Sequence, residues 1–481
     1  MPSFVTWVFA DGSGRCRRAW EPWLSPVCLT LAPLTLGHAL QVSNGFYDAV
    51  ALRWVTVAAV LSVLAVVSAG RTYLGESAVR TLTWLASVGI AWQVAALLTA
   101  PPGFELGPRA NLAWFHAAIV AEAGLVACAV FRVRPLGRLW FPALLVVHLA
   151  AGVWLIRASP SPRIDVIVVH RVAIDALRRG EDPYRITFPS IYPPELGFYN
   201  PTIVRRGEVQ FGYPYPPLSL MLALPGQILA GDYRYAELVA FMIGVACIGY
   251  LRAGILPKLA AALLLTTPRV FFVLEQGWTE PSVVMMLALT VFCLVRRPAL
   301  APWVGGLFVA TKQYLIVAAI LLARASRTFD RPARFLGTVT AAAAATIVPF
   351  ALWHPHAFFE SVVRLQTREP FRFDALSYLN FIARSGLKSE SLAWSIAASA
   401  IALGIGCMRT PNTSAGLAVS LALASFAAFA FGPKAFCNYF FFVIAALCCA
   451  LATVADGEGG RADHRTSSKS VASSRASSKA P

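Results

Sequence analysis

With 481 residues, 57% apolar, only 14% charged and a mean hydropathy of +0.63, the chain is too poor in charge for a soluble domain, where roughly a quarter of the residues are charged. A net charge of +17 could point to nucleic acid, but the basic residues sit in short clusters between apolar runs, as positive-inside loops do, which argues against nucleic-acid binding. Nine scattered cysteines without C-x-x-C spacing argue likewise against a disulfide framework or a zinc site.

A membrane span needs about 20 mostly apolar residues. In chain order the first candidates are 23–40, 54–70, 81–100, 112–131 and 139–156. Arg15, Arg17 and Arg18 precede the first, which reads as an uncleaved signal-anchor with a cytoplasmic N-terminus. Arg132, Arg134 and Arg138 mark the same face, provided the connection carrying Arg71 and Arg80 belongs to a tight or imperfect hairpin. A polar, aromatic-rich outer loop, 157–213, follows. Asp165 stands at its entrance, and Val166, Val169, Ala173 and Leu177 predict an amphipathic helix up to Arg179. Gly180 ends that helix, and Glu181-Asp182-Pro183-Tyr184 turns the chain away. The loop leaves through Phe211-Gly212-Tyr213-Pro214-Tyr215-Pro216-Pro217-Leu218.

The second half offers spans at 214–230, 237–251, 257–273, 281–296, 302–323 and 335–353. The basic stretch Arg324–Arg331 belongs to the cytoplasm, yet strict alternation puts Arg296 and Arg297 outside, against the positive-inside rule. A second outer loop, 354–390, precedes spans 391–407, 414–431 and 437–454. The Ser-, Arg- and Lys-rich tail Asp456–Pro481 is expected to be disordered in the cytoplasm. The expected fold is therefore an all-α polytopic membrane protein with about 13–14 spans. It divides into extra N-terminal helices (1–138), a core with both outer loops (139–390), C-terminal helices (391–455) and the tail (456–481).

Few residues can carry chemistry in such a chain. Asp165, at the membrane boundary beneath a long loop, suits a general base; a helix cap is the plainer reading, and the two are compatible. Asp182 is good turn chemistry in its own right. Lys312 lies in the apolar run 308–315, where a lysine is costly unless it faces a cavity or an anion such as a lipid phosphate. Glu275, Gln276 and Glu280 flank Gly277 and Trp278, as a site lining or as an ordinary polar loop. His354 and His356 have the spacing of metal ligands, but Pro355 between them favours phosphate contact over metal. Arg364, Arg368 and Arg372 fall four apart, with Pro370 interrupting any single helix. Glu122, mid-span, is expected to hydrogen-bond within the bundle. Tyr184, Tyr192, Phe198, Tyr199, Tyr213 and Tyr215 fit either sugar stacking or an interfacial belt.

Asp165, the run from Ala176 through Gly180 to Tyr184, and Tyr215-Pro216-Pro217-Leu218 together resemble the polyprenyl-phosphate-sugar-dependent membrane glycosyltransferases of the GT-C superfold, glycosyltransferase family 87 in particular. Gly305–Lys312, Val348-Pro349-Phe350 and Asp374–Tyr378 are similar to segments of the same enzymes, and the likeness spans about residues 140–390. Two departures stand out. Four spans precede the segment that matches the family's first helix, and Gln276-Gly277-Trp278 occupies the place of the family's Gly-Gln pair.

The resemblance implies a GT-C-like bundle and an inverting transfer, most simply of mannose, from a polyprenyl-phosphate-linked donor. The acceptor would be a lipid or glycan of the bacterial cell envelope. It places the protein in the plasma membrane, with both termini cytoplasmic and the site facing the periplasm or cell exterior. Asp165 would be the base. Lys312, His354, His356 and Arg364 would bind the donor phosphate, and Asp182, Tyr184, Tyr213, Tyr215, Gln276 and Glu280 would line the substrate. No cofactor or metal is expected beyond the lipid-linked co-substrate and surrounding membrane lipids, and no oligomeric state is specified. The alternative is a transporter or flippase of lipid-linked sugars, for which inverted repeats would be expected. A non-catalytic assembly protein would need neither Asp165 nor Lys312.

Overall fold

Apolar runs in lipid leave the backbone to satisfy its own hydrogen bonds, and this chain does so with helices. The computed structural model describes residues 8–10, 16–18, 21–70, 73–108, 110–133, 136–387 and 391–456. The tail beyond Asp456, and Arg15, Arg71 and Arg134 among the basic markers, lie outside the described residues.

Five helices open the bundle: α1 (Glu21–Ser43), α2 (Ala49–Val67), α3 (Glu76–Thr99), α4 (Leu112–Val130) and α5 (Leu136–Ala158). The Asp48 carboxylate caps α2 by accepting from the Val50 and Ala51 amides, and Asn111 caps α4 at Ala113 N. These five, with α14 further on, supply six helices long and apolar enough to cross a membrane. The chain is a multi-pass, membrane-embedded, all-α protein, and α4 leaves Trp114 and Val120 exposed on its outer side. At mid-span, Glu122 meets His148 of α5 at 3.0 Å, the intrabundle partner expected of it.

The remaining helices are α6 (Asp165–Arg178), α7 (Pro217–Ala230), α8 (Arg234–Gly249), α9 (Leu256–Leu265), α10 (Val270–Glu275), α11 (Glu280–Arg296), α12 (Ala301–Val309), α13 (Ile316–Ser326) and α14 (Pro332–Trp353), then three short pieces, α15 (Pro355–Phe359), α16 (Leu365–Arg368) and α17 (Tyr378–Arg384), and finally α18 (Ala393–Arg409), α19 (Ser414–Ala430) and α20 (Cys437–Ala452). Apolar on all sides, α20 is buried along nearly its whole length at the centre of the bundle.

Two faces are defined by contacts that tie turns together. On one, Trp23, Leu74, Leu256 and Val454 form an apolar cluster, residues 73–74 pair with 455–456, Phe141 packs on Tyr250, and Arg296 Nε donates to Leu251 O at 2.9 Å. On the other, the loop face, Tyr47 N donates to Asp374 O, Gly107 N to Ala158 O and Leu376 N to Ala435 O, each at 2.8 Å.

Two expected spans are corrected by this path. The run 214–230 does not cross. Its helix, α7, is short, contains Pro225, and begins and ends at the loop face. Tyr233, just past its end, stacks on His170 of α6 at 4.6 Å and donates its hydroxyl to Gly277 O. The run 302–323 is not one span but a hairpin. Lys312 is extended (φ −145°, ψ 149°), Gln313 Nε2 donates at the loop face to Pro214 O and Val362 O, and Gly305 lies against Leu322 as the chain returns. The run 257–273 also breaks, between α9 and α10, where Arg269 takes φ +68°.

The first two corrections offset each other in the number of passes, and they remove the conflict over charge. Arg296 and Arg297 now share a face with Arg324, whose guanidinium donates to Cys407 O and Thr410 O. A twenty-residue hydropathy window registers apolar length and is blind to a chain that doubles back.

Candidate functional site

Asp165 is the first residue of α6, one position inside the cap at Ile164. Its Oδ1 accepts from Val166 N at 2.8 Å, so the carboxylate does help terminate the helix. It does more than that. Tyr199 donates its hydroxyl to Oδ2 at 2.7 Å, and the Tyr192 hydroxyl approaches Oδ1 at 3.4 Å while accepting from Asp165 N at 3.2 Å. Burial, then the Asp165 charge, push both phenols above their usual range, so both stay protonated donors.

The first loop holds these tyrosines with a small sheet in which 208–209 pairs with both 188–189 and 204–205. The second loop closes over it. The Arg372 guanidinium lies 3.9 Å above the Phe198 ring and is fixed bidentately by Asp374 at 2.8 and 2.7 Å. Arg372 N reaches Pro433 O, and Lys434 in the α19–α20 turn pairs with Glu369. Burial draws the Lys434 ammonium down to about 7, and the nearby Asp165 carboxylate pulls it back up. The α19–α20 turn thus brings Lys434 near Asp165, and the second loop seats Arg372 on the first.

A second cluster lies behind the first. The Lys312 ammonium, at the break between α12 and α13, sits 3.3 Å from Glu280 Oε1 and 4.0 Å from the Tyr215 ring centre. Tyr215 feels the charges of both Asp165 and Glu280, which puts it between the two clusters. Lys312→Met is expected to leave Glu280 buried without its cation, costing about 3–5 kcal/mol, and to be rescued in part by the Glu280→Gln double change. Thermal unfolding of the two variants measures this.

His170, which sequence reasoning passed over, is fully buried in α6 and stacked on Tyr233. Its Nδ1 bonds Val166 O at 2.8 Å, so that nitrogen carries the proton and Nε2 accepts from the Tyr213 hydroxyl at 2.9 Å. Burial lowers its pKa from 6.5 to about 3, the Val166 carbonyl opposes this, and Lys312 adds to it. Between those values the unfolded chain holds a proton that the folded one lacks. The stability His170 contributes is therefore whole above pH 6.5 and is lost as the pH falls toward 3, by up to about 1.4 kcal/mol per unit. Over that interval the unfolding midpoint should fall more steeply with acid in the wild type than in His170→Phe; equal slopes would remove His170 from the acid response.

Several expected binding residues turn out to be scaffold. Tyr184 and Tyr213 are 2% and 0% exposed, so neither can stack on a sugar. Instead the Tyr184 hydroxyl donates to Tyr215 O, and Tyr213 bonds His170 and Ser219. Asp182 accepts from Tyr184 N at 2.9 Å and holds His354 Nδ1 at 2.7 Å, while Arg185 meets the other ring nitrogen at 3.0 Å. That contact docks the second loop on the first, as does the Gly212 amide, which donates to Ser361 Oγ at 2.9 Å. Asp182→Ala should cost about 1–3 kcal/mol by orphaning the buried Tyr184 amide, and should hasten proteolysis within 354–387.

Gln276 is turned away, donating to Glu275, whose carboxylate accepts the Phe104 and Glu105 amides. His356 is 89% exposed on its side chain, and Arg364 and Arg368 both pair with Glu360 at the surface. The helix carrying the last two stops at Arg368, before Pro370, and Arg372 turns inward. Of the residues singled out from sequence, the structure gathers Asp165, Tyr192, Phe198, Tyr199, Tyr215, Glu280, Lys312 and Arg372 toward one region. Lys434 was missed, though it is the one charged residue between Arg409 and Asp456.

No family model matches the chain, and no curated protein or solved structure matches it either.

Proposed function

We propose that the protein is a membrane glycosyltransferase that moves a sugar, mannose in the simplest case, from a polyprenyl-phosphate carrier to a cell-envelope acceptor on the loop face, which is the extracytoplasmic side. The observation that carries this reading is the Asp165 carboxylate, held at the base of a closed loop by two phenols, with Lys434 near it and Arg372 packed on Phe198 of the same loop. A carboxylate so placed takes the proton of an attacking hydroxyl. The departing polyprenyl phosphate gains negative charge and needs cations aimed at it. Lys312 keeps that role and Lys434 and Arg372 join it, while His356 and Arg364 face solvent and His354 is held by Asp182. Asp165 remains the base and Tyr215 a lining residue. On this reading the passes make a GT-C-like bundle with two extracytoplasmic loops, and the arginines of the opposite face are cytoplasmic.

The test is transfer from a panel of radiolabelled polyprenyl-phosphate sugars by the purified protein in lipid. Transfer from one donor supports the reading and names the sugar. Donor binding without transfer, accompanied by movement of the donor across the bilayer, would make the protein a flippase instead.

A further inference from the structure

A groove of about 240 Å3 runs between α3 and α4 on the flank of the bundle. Its walls are small side chains, Ser87 and Ala91 on α3 and Ala123 and Ala127 on α4, and the two membrane-length helices leave a channel there instead of closing on each other. At one end Trp84 and Phe131 meet edge-on with ring centres 5.8 Å apart, and they are 48% and 66% exposed. The groove therefore opens sideways. The one hydroxyl in its lining, that of Ser87, donates to Thr83 O at 2.6 Å, and the Trp84 indole is the other polar group. An apolar channel in the side of membrane-spanning helices takes hydrocarbon, since an empty one forfeits the dispersion contacts of its walls.

Charge at its rim indicates which hydrocarbon. Positions 80, 84, 87 and 91 fall on one stripe of α3, so Arg80 continues the groove's wall beyond Trp84. Arg132 follows Phe131 in the α4–α5 turn, at φ +55°, and both arginines are exposed. Among the described residues neither pairs with a carboxylate. The turns 68–80 and 131–138 hold five arginines against one acid, Glu76, with Asp456 paired through its backbone to Leu74 nearby. No side chain caps the first amides of α3, so the positive end of its dipole adds to the same field. This end lies on the face opposite the loops, across the membrane from Asp165. The occupant is accordingly a lipid of that leaflet rather than a carrier presenting its phosphate to Asp165. From Arg80 to Ala91 the helix rises about 16 Å, close to one leaflet's share of a hydrocarbon core about 30 Å thick.

We propose that the α3–α4 groove holds an acyl chain of one anionic phospholipid, whose phosphate is met by Arg80 and Arg132. This holds whether or not the protein transfers sugar. The test uses the purified full chain in a neutral detergent, titrated with phosphatidylglycerol or with phosphatidylcholine of the same acyl chains. Native mass spectrometry counts the retained lipid, and the unfolding midpoint reads its affinity. Phosphatidylglycerol is expected to stay bound at one per chain and to raise the midpoint saturably, while phosphatidylcholine binds more weakly. Arg80→Gln/Arg132→Gln, at two exposed positions, should weaken phosphatidylglycerol about thirtyfold and leave phosphatidylcholine as it was. Ala127→Phe fills the groove but keeps both arginines, and should remove the retained lipid. Equal response of the wild type to the two lipids overturns the proposal and needs no variant to fold. So does phosphatidylglycerol retained by Ala127→Phe, which would make the arginines a diffuse surface charge. A lipid-free dimer that Ala127→Phe dissociates would put a second copy in the groove and overturn it likewise.

Discussion

Asp165→Asn is expected to lower sugar transfer by about two to four orders of magnitude, the usual worth of a positioned general base. Asparagine is isosteric, and its carbonyl oxygen can still accept the Val166 amide that Oδ1 now takes at 2.8 Å. Its amide group can donate to the Tyr199 hydroxyl, so α6 and the loop keep their shape. What is lost is the capacity to take a proton. The unfolding midpoint and donor binding should be nearly unchanged while turnover collapses. Asp165→Glu keeps the chemistry but displaces the carboxyl group by about a methylene length, for which losses of the order of a hundredfold are usual. Tyr199→Phe removes only the 2.7 Å bond that aims Oδ2 and should have a smaller effect than either. If Asp165→Asn turns over as fast as the wild type, Asp165 is a helix-terminal residue and nothing more.

Arg234→Met should destabilise the fold by about 3–5 kcal/mol, the cost of breaking a buried ion pair from one side. The guanidinium is fully buried and grips Asp232 at 2.7 and 3.1 Å, Ser159 O at 2.8 Å and Glu275 O at 3.2 Å. It thereby ties the start of α8 to the ends of α5 and α10. Methionine fills much of the volume but leaves two carbonyls without a donor and the Asp232 carboxylate with only the residue-234 amide, at 2.9 Å, as a close one. Arg171, 3.7 Å from Asp232 and partly exposed, can compensate little. Removing both partners in Asp232→Ala/Arg234→Met should recover part of the loss. Unfolding in a denaturant series reads both; a single-variant cost under about 1 kcal/mol would show that the carbonyls are satisfied by other means.

Much of the bundle was legible because lipid imposes a simple rule: each long apolar stretch becomes a helix. The first five helices fall where the apolar runs predict them, and α6 begins at Asp165 and ends before Gly180, whose φ of +75° only a glycine adopts without strain. The errors came where an apolar run does not run straight. Pro225 in α7 and the Thr311-Lys312-Gln313 break are visible in sequence, but what turns them into reversals is contact with Gly277, Pro214 and Val362, far away in the chain.

The sequence by itself determined the chemistry available. It named Lys312, since a charge amid hydrocarbon is expensive and stands out on composition alone, and Asp165, from its place at the entrance of a long polar loop. Only the tertiary structure decided their company. Lys434 comes near Asp165 from the α19–α20 turn, Arg372 turns inward while Arg364 and Arg368 stay at the surface, Tyr184 and Tyr213 are spent on holding the first loop together, and Asp182 on docking it to the second. Local sequence encodes helix length, caps and turns through interactions a few residues apart. Which partner a buried charge meets depends on how the helices pack, and that is settled by burial over the whole bundle rather than by any neighbour in the chain.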